Sequence, residues 1–284
     1  MIEYRTLEGI CMETLCSSFV RAFSDYQIKM DMPVSKLELM LKRRGYAPEL
    51  SMGAFDGGNL VGFILNGHRI WDGIDTVYDS GTGVIPEYRK QGITNNIFKR
   101  LQDVLIEKGA VQYLLEVLKA NTPALKIYQN AGFNTTRSLL CYKLPKDSAV
   151  IESACHIKII DRMDLIDWNL YKAFWDQGPS WQNSIDSVNA VSSQFVAVEA
   201  IIDGEIAGYG IAEKQTGDVP QIAVSKNFRL RGIGKSIIDA LRLNTNSNSL
   251  AFINVDERLE NLISLLKLTG ADKFTEQHEM MLKL

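Results

Sequence analysis

The sequence predicts an α/β chain made of two tandem copies of one domain, each a mixed, mostly antiparallel sheet flanked by helices. Three observations carry that expectation. The 284 residues are enough for two domains at roughly 100–200 residues each. Strand-like and helix-like segments follow one another in the same order twice. Landmark glycines recur at nearly equal offsets, Gly92 and Gly232 being 140 residues apart and Gly132 and Gly270 138 apart. Repetition at a fixed period marks duplication. The boundaries expected from the repeat are residues 1–146 and 154–284.

The first copy opens with a short strand at 2–6. An apolar helical pattern follows through Leu15, Phe19, Val20 and Phe23, then a second helix over 35–44. Strands at 50–55 and 60–65 flank Asp56-Gly57-Gly58-Asn59, turn chemistry that closes a β-hairpin. An extended run over 74–84 stops at Pro86. Ile93, Ile97, Leu101, Val104 and Leu105 then recur at helical spacing. A strand at 112–117 leads to a helix after Asn121, and the copy closes with extended residues 133–136 and 139–144.

Residues 145–153 are polar and aperiodic, as in a linker. The order then returns. A strand at 156–160 is followed by helical stretches near 165–174 and 181–191, and by a hairpin of 195–202 and 205–211 around Asp203-Gly204. A strand at 219–224 leads to a helix after Gly232. Strand 250–255, helix 258–268 and an extended segment at 274–284 complete the copy.

Composition narrows the function classes. Hydrophobic residues make up 46%, and 31 basic against 34 acidic residues leave a net charge of −3. So balanced a chain offers no field for a polyanion, which argues against nucleic acid or an anionic membrane as the main partner. No apolar run reaches the roughly 20 residues that span a bilayer, and the first residues do not read as a signal peptide. The expected location is therefore the cytoplasm. Cys11, Cys16, Cys141 and Cys155 form no C-x-x-C pair, and His68, His156 and His278 are scattered. The expectation is reduced thiols and no metal.

Each copy carries a strand that runs through a short loop into a helix. The first loop reads Val84-Ile85-Pro86-Glu87-Tyr88-Arg89-Lys90-Gln91-Gly92-Ile93-Thr94-Asn95. The second reads Val224-Ser225-Lys226-Asn227-Phe228-Arg229-Leu230-Arg231-Gly232-Ile233-Gly234-Lys235. A helix N-terminus presents unpaired N–H groups and the positive end of the helix dipole, so it binds phosphate with backbone alone. A glycine there lets the ligand approach closely.

These loops resemble the R/Q-x-x-G-x-G/A signature of the GNAT superfamily of acetyl-CoA-dependent N-acetyltransferases. The first departs at Thr94 and the second matches in full through Gly234. Residues 115–133 also resemble the family's L-E-V-x-x-x-N-x-x-A-x-x-x-Y-x-x-x-G-F stretch at each defined position. The match is especially close to its bacterial branch that acetylates the N-terminus of a ribosomal protein. The resemblance implies a loop that holds the CoA pyrophosphate, with pantetheine along the strand ending at Val84 or Val224. It implies an acceptor amine, Glu116 as base and Tyr128 as acid. Asp79 is the rival base, because family members also place a carboxylate on that strand.

Chemistry demands the same parts. An ammonium with a pKa near ~10.4 must lose a proton, the developing oxyanion needs N–H donors, and the leaving thiolate needs an acid. Asn121 is a good N-cap for the helix that carries Tyr128. In the second copy the matching positions are Leu259 and Leu266, so that copy is expected to be degenerate or to bind CoA only. A non-catalytic CoA-binding or protein-interaction module is the alternative, favoured by Thr94 and opposed by the Glu116–Tyr128 spacing. A nucleotide-dependent oxidoreductase fits less well, since neither loop reads G-x-G-x-x-G. The acceptor, a small molecule or a peptide, is not encoded in a recognisable motif. Residues 23–46 carry Asp25, Met30, Asp31 and Met32, a mixed acidic and apolar wall that suits a cationic amine.

Overall fold

The computed structural model describes residues 1–25, 32–146 and 154–284. Met30, Asp31 and residues 147–153 of the expected linker lie outside the described residues. The elements run β1 (Glu3–Thr6), α1 (Met12–Ala22), α2 (Val34–Arg44), β2 (Met52–Asp56), β3 (Asn59–Trp71), β4 (Ile74–Val84), α3 (Ile93–Glu107), β5 (Gln112–Leu118), α4 (Thr122–Asn130) and β6 (Asn134–Pro145). Then follow β7 (His156–Ile160), α5 (Trp168–Lys172), α6 (Ile185–Ala190), β8 (Phe195–Ile202), β9 (Glu205–Glu213), β10 (Gln221–Val224), α7 (Ile233–Leu243), β11 (Ser249–Asp256), α8 (Glu260–Leu268) and β12 (Asp272–Lys283).

Turn chemistry sets the strand ends. Gly57 and Gly58 both take positive φ, as do Asp203 and Gly204, the backbone a two-residue type I′ hairpin requires. Asp72 and Gly73 do the same between β3 and β4. The strand expected over 60–65 runs six residues further, to Trp71, where Asp72-Gly73 turns the chain. The two extended pieces at 133–136 and 139–144 form one strand, β6. The helices expected at 165–174 and 181–191 are shorter, since only Trp168–Lys172 and Ile185–Ala190 are α-helical.

The described residues fall into two compact units whose bounds cross those expected from the repeat. One holds residues 1–117, 121–136 and 279–284, and the other holds 118–120 and 137–278. Each unit thus contains a strand segment that the sequence order assigns to the other copy.

In the first unit β1, β2, β3 and β4 are successive antiparallel neighbours, and β5 joins β4 in parallel. Alternation along β3 splits the core between the two faces of the sheet. Phe63 and Leu65 pack with Leu15, Phe19, Leu37 and Leu41 of α1 and α2. Ile64 packs with Ile93, Ile97 and Leu101 of α3, and with Tyr113, Leu115, Tyr128 and Phe133. Met280, 1% exposed, completes this second cluster, and the N–H of Leu284 donates to Val111 O at 3.0 Å.

In the second unit β7, β8, β9 and β10 are successive antiparallel neighbours. Residues 139–145 of β6 pair antiparallel with β11. Tyr142 and Leu144 pack there with Ile237 and Leu241 of α7 and with Leu266 of α8.

Candidate active site

The parallel pairing of β4 with β5 is short. Thr76, Val77 and Tyr78 face Gln112, Tyr113 and Leu114, and there the ladder ends, although β4 runs on to Val84 and β5 to Leu118. A β-bulge in β4 coincides with this point. Leu65 pairs with Gly81 and Asn66 with Asp79, so Ser80 is the extra residue. Such bulges re-aim side chains. Asp79 and Thr82 consequently reach one another, and the split between β4 and β5 opens beside them.

Glu116, Asp79 and Tyr128 all border this split. Tyr78 Oη donates to Glu116 Oε2 at 3.0 Å, and Tyr128 Oη donates to Asp79 Oδ2 at 3.2 Å. Tyr78 and Asp79 are adjacent in an extended strand and therefore point to opposite faces. The Glu116 pair lies on one face, and the Asp79–Tyr128 pair lies on the face of α3 and α4. Asp79 Oδ1 also accepts from the Gly81 N–H at 2.9 Å, and Oδ2 accepts from Thr82 Oγ1 at 2.7 Å. Burial pushes the Asp79 carboxyl above its usual range, outweighing the donors and the Arg44 charge that pull it down. Arg44 Nη1 donates to Ser80 O at 2.6 Å, which ties α2 to the bulge. Asn121 caps α4 as its residue type predicts, accepting from the Ala124 N–H at 3.3 Å.

Downstream of β4 lies the loop that the sequence expects to hold phosphate. A short 3₁₀ turn at Pro86–Tyr88 precedes Lys90 at φ 61° and Gly92 at φ 74°, with Ile93 opening α3. A Cβ on Gly92 would meet nothing nearer than Asn96 Nδ2 at 3.9 Å. A side chain at this position would therefore find room, although the positive φ favours glycine. Lys90, Gln91 and Asn95 are exposed around it, and Thr94 is half-buried. Arg89 has a different task. Its Nε donates to Val84 O at 3.1 Å, and its terminal nitrogens hold Ala22 O at 2.7 Å and the Asp25 carboxylate at 2.5 and 2.9 Å. Arg89 in turn draws the Asp25 carboxyl below its usual range. Arg89 thus pins the loop to the end of α1, and Asp25 is engaged with the loop rather than lining an acidic wall.

The second unit repeats the loop closely. Lys226–Phe228 form the 3₁₀ turn, Leu230 sits at φ 61° and Gly232 at φ 79°, and Arg229 Nε donates to Val224 O at 3.0 Å. Arg229 also meets Asp176 at 2.8 Å, as Arg89 meets Asp25. The surroundings differ. A Cβ on Gly232 would lie 3.2 Å from that of Ala154, and one on Gly234 only 2.6 Å from Leu265 Cδ2. Gly234, which makes this loop the better motif match, is required by packing against α8. Lys235 pairs with Asp239, and Arg231 lies over the Phe228 ring. Leu259 provides no side-chain cap to α8, and Leu266 is fully buried.

Beside β10 and β11 lies a cavity lined by Trp175, Tyr209, Gln221, Phe252, Asn254 and Asp256. Its polar groups hold one another. Trp175 Nε1 donates to Tyr209 Oη, Tyr209 to Gln221 Oε1, Gln221 Nε2 to Asn183 O, and Asn183 Nδ2 to Ile253 O.

Sequence reasoning missed Tyr78, Thr82 and Arg44. Nothing local marks them, because their roles arise from the bulge and from contacts tens of residues away in sequence.

Comparison with known proteins finds sequence and fold relatives. Residues 13–133 match the sequence model of the Acetyltransferase (GNAT) family. Among curated relatives, thialysine N-epsilon-acetyltransferase of Sus scrofa is 37% identical over 65 residues, 23% of this chain and 38% of that protein. N-alpha-acetyltransferase 30 of Schizosaccharomyces pombe is 29% identical over 98 residues, 34% of this chain and 65% of that one. The chain thus spans less than two thirds of each of these two relatives. Among solved structures, a tandem GNAT protein from the clavulanic acid biosynthesis pathway shares the fold with a TM-score of 0.73 at 14% identity, covering 100% of this chain and 98% of that one. A GCN5-related N-acetyltransferase from Sphaerobacter thermophilus gives 0.72 at 12%, covering 99% and 95%. No helix among the described residues is long and apolar enough to cross a membrane.

Proposed function

We propose that the first half of the chain, whose residues 13–133 match the model of the Acetyltransferase (GNAT) family, moves an acetyl group from acetyl-CoA to a primary amine. The carrying observation is the β4–β5 ladder that ends at Tyr78 and Leu114, with Glu116 and Tyr128 on the borders of the split. The open loop at Gly92 supports the reading at the cofactor end. Backbone amides at the start of α3, from Gly92 to Asn95, with Lys90 and Gln91 beside them, hold the pyrophosphate. Arg89 keeps the loop in that shape, and Asn121 fixes the start of α4. When bound, acetyl-CoA supplies a thioester whose carbonyl carbon accepts the amine.

Glu116 takes a proton from the ammonium, directly or through water, and the freed nitrogen forms the new C–N bond. As the C–S bond breaks, the Tyr128 hydroxyl turns from Asp79 and gives its proton to the sulfur. The proton lost by the new amide nitrogen makes good the one Tyr128 has given up. The second half keeps the fold and the loop geometry of Val224 to Lys235 but has Leu266 and Leu259 at the acid and cap positions. It is a degenerate copy with no route to transfer.

Curated relatives named for the N-epsilon amine of thialysine and for an N-alpha amine make side-chain amines and α-amines, free or at a peptide N-terminus, the first acceptors to try. The test is release of CoA thiol from acetyl-CoA against free lysine, polyamines and peptides with free N-termini, with mass spectrometry of the products. Acetylated product is expected for at least one class. CoA binding with no transfer to any of them would reduce the protein to a binding module.

A further inference from the structure

The second unit has a split of its own, which the acetyl-transfer reading leaves unused. Asp218 and Ala251 form a parallel bridge, beyond which β10 pairs with β9 and β11 with β6. The cavity beside β10 and β11 has a volume of about 60 Å³. One water needs roughly 10–15 Å³, so the cavity holds a group of several heavy atoms. We propose that it binds a small uncharged molecule through a carboxamide or urea edge.

Spare hydrogen-bonding capacity carries the argument. Gln221 and Asn254 both line the cavity, and each is 5% exposed. A side-chain carboxamide has two N–H donors and an oxygen with two lone pairs. Gln221 donates one hydrogen to Asn183 O at 2.8 Å and accepts from the Tyr209 hydroxyl at 3.0 Å. Asn254 donates to Ser180 Oγ at 3.2 Å and accepts from Gln277 Nε2 at 2.8 Å. Each amide therefore keeps one donor and one lone pair. Buried polar groups call for partners, and an occupant that both donates and accepts supplies them.

Charge argues against ions. Among the described residues no lysine or arginine lines the cavity, so an anion finds no countercharge. Asp256 is the charged lining residue. Arg258 donates to it at 2.6 and 2.9 Å, and Arg137 lies 3.7 Å away. A cation thus meets a carboxylate already held by two guanidinium groups. The rings of Trp175, Tyr209 and Phe252 line the rest, and such apolar surface suits a planar molecule.

The backbone gives an independent reason. Between Phe252 and Val255, which pair with Tyr142 and Leu140, β11 carries one extra residue. Asn254 lies in this bulge at φ 60°, a left-handed conformation that asparagine tolerates better than most residues. Bulges and strained backbone concentrate at functional sites. CoA suits this half less well. The Ala154 N–H donates to Ser236 Oγ in the first turn of α7 at 2.9 Å, and Lys235 pairs with Asp239 at 2.6 Å.

The test titrates the ¹⁵N-labelled full chain with benzamide, benzoate, benzylammonium and benzyl alcohol, which share a ring and differ in the group they offer. The readout is the indole N–H resonance of Trp175, identified through Trp175→Phe. Benzamide is expected to shift it saturably and to bind at least about 10-fold more tightly than each of the other three. Excess CoA should leave that shift unchanged. Gln221→Met removes one carboxamide, and Asn254→Gly removes the other while accepting the same φ. Each variant that folds by thermal melting should lose at least about 3-fold of the preference. If neither folds, the comparison of the probes on wild type decides alone. Equal affinity for all of them, no saturable shift with benzamide, or displacement of benzamide by CoA would overturn the proposal. None of these results bears on acetyl transfer by the first half, which the acceptor panel tests separately.

Discussion

Tyr78, the last residue of β4 paired with β5, donates its hydroxyl to Glu116 Oε2 at 3.0 Å, two residues beyond the end of the ladder on the neighbouring strand. Burial pushes the Tyr78 phenol well above its usual range, so it remains a donor at every working pH. A donor aimed at a carboxylate favours the ionised form. Tyr78→Phe removes that donor and keeps the ring. The acid-side limb of kcat/KM is expected to move to higher pH, with kcat lowered by no more than roughly 10- to 150-fold, since one hydrogen bond to a charged group contributes about 1.5–3 kcal/mol at most. A pH–rate profile superimposable on wild type would show that Tyr78 does not act through Glu116.

Tyr128→Phe keeps the ring against Phe133 and deletes the proton donor. The expected loss in kcat is about 10- to 10⁴-fold, the range for general acid catalysis, with acetyl-CoA affinity little changed. Pre-steady-state kinetics should place the loss in the chemical step. An unchanged chemical step would return Tyr128 to a packing role.

Much of this was legible in the sequence because the signals are local. Asp-Gly turns mark the hairpins, Gly92 and Gly232 mark helix starts, and Asn121 marks a cap. Each depends on a few adjacent residues, so each survives without knowledge of the tertiary fold. The hydrogen bonds from Tyr78 to Glu116 and from Tyr128 to Asp79 join residues 38 and 49 apart in sequence, and the bulge at Ser80 that aims Asp79 has no local signature. Arg89 illustrates a different limit. Its place in the motif suggested phosphate, but its partners Ala22 O and Asp25 come from the end of a helix far upstream. The placement of residues 279–284 in the first unit was equally hidden, because alternating strand residues satisfy any sheet of matching polarity.

That placement has an energetic consequence. Met280 is 1% exposed within the core beside Tyr113 and Phe133. Met280→Ala is expected to cost about 2–4 kcal/mol, visible as a lower midpoint in urea. Because this core also carries Tyr128, transfer activity should be lost at lower urea than in wild type. Unchanged midpoints would mean that the last residues do not support the first unit.

Glu276 offers a test of electrostatics away from the site. Hydrogen bonds from Lys273 and Lys119 lower its carboxyl to about 2. Since the folded value lies below the unfolded one, near ~4.3, the stabilisation is present above that unfolded value and is lost as pH falls through about 2. Solvent screening of the partly exposed pair reduces it to about 1 kcal/mol. Glu276→Gln should therefore be less stable than wild type at pH 7, with the gap closing between roughly pH 4.3 and 2. A gap that persists at pH 2 would assign the loss to packing.

The two phosphate loops share a backbone but not surroundings, and this asymmetry separates the halves experimentally. Gly92 lies in the left-handed region with open space around its Cβ position. Gly92→Leu therefore incurs mainly the conformational penalty of about 1–2 kcal/mol, while projecting a side chain into the space in front of α3. Turnover is expected to fall at least about 100-fold through loss of a well-placed cofactor, with a modest shift in melting. Gly232→Leu meets the same penalty plus the Ala154 Cβ at 3.2 Å, so it should melt lower than Gly92→Leu. Its turnover should nevertheless stay close to wild type, because Leu266 and Leu259 leave that half without an acid or a capped helix to orient one. Both variants are purified, melted and assayed with acetyl-CoA at several concentrations, so that loss of affinity is distinguished from loss of rate. A folded but inactive Gly232→Leu beside an active Gly92→Leu would place the chemistry in the second half.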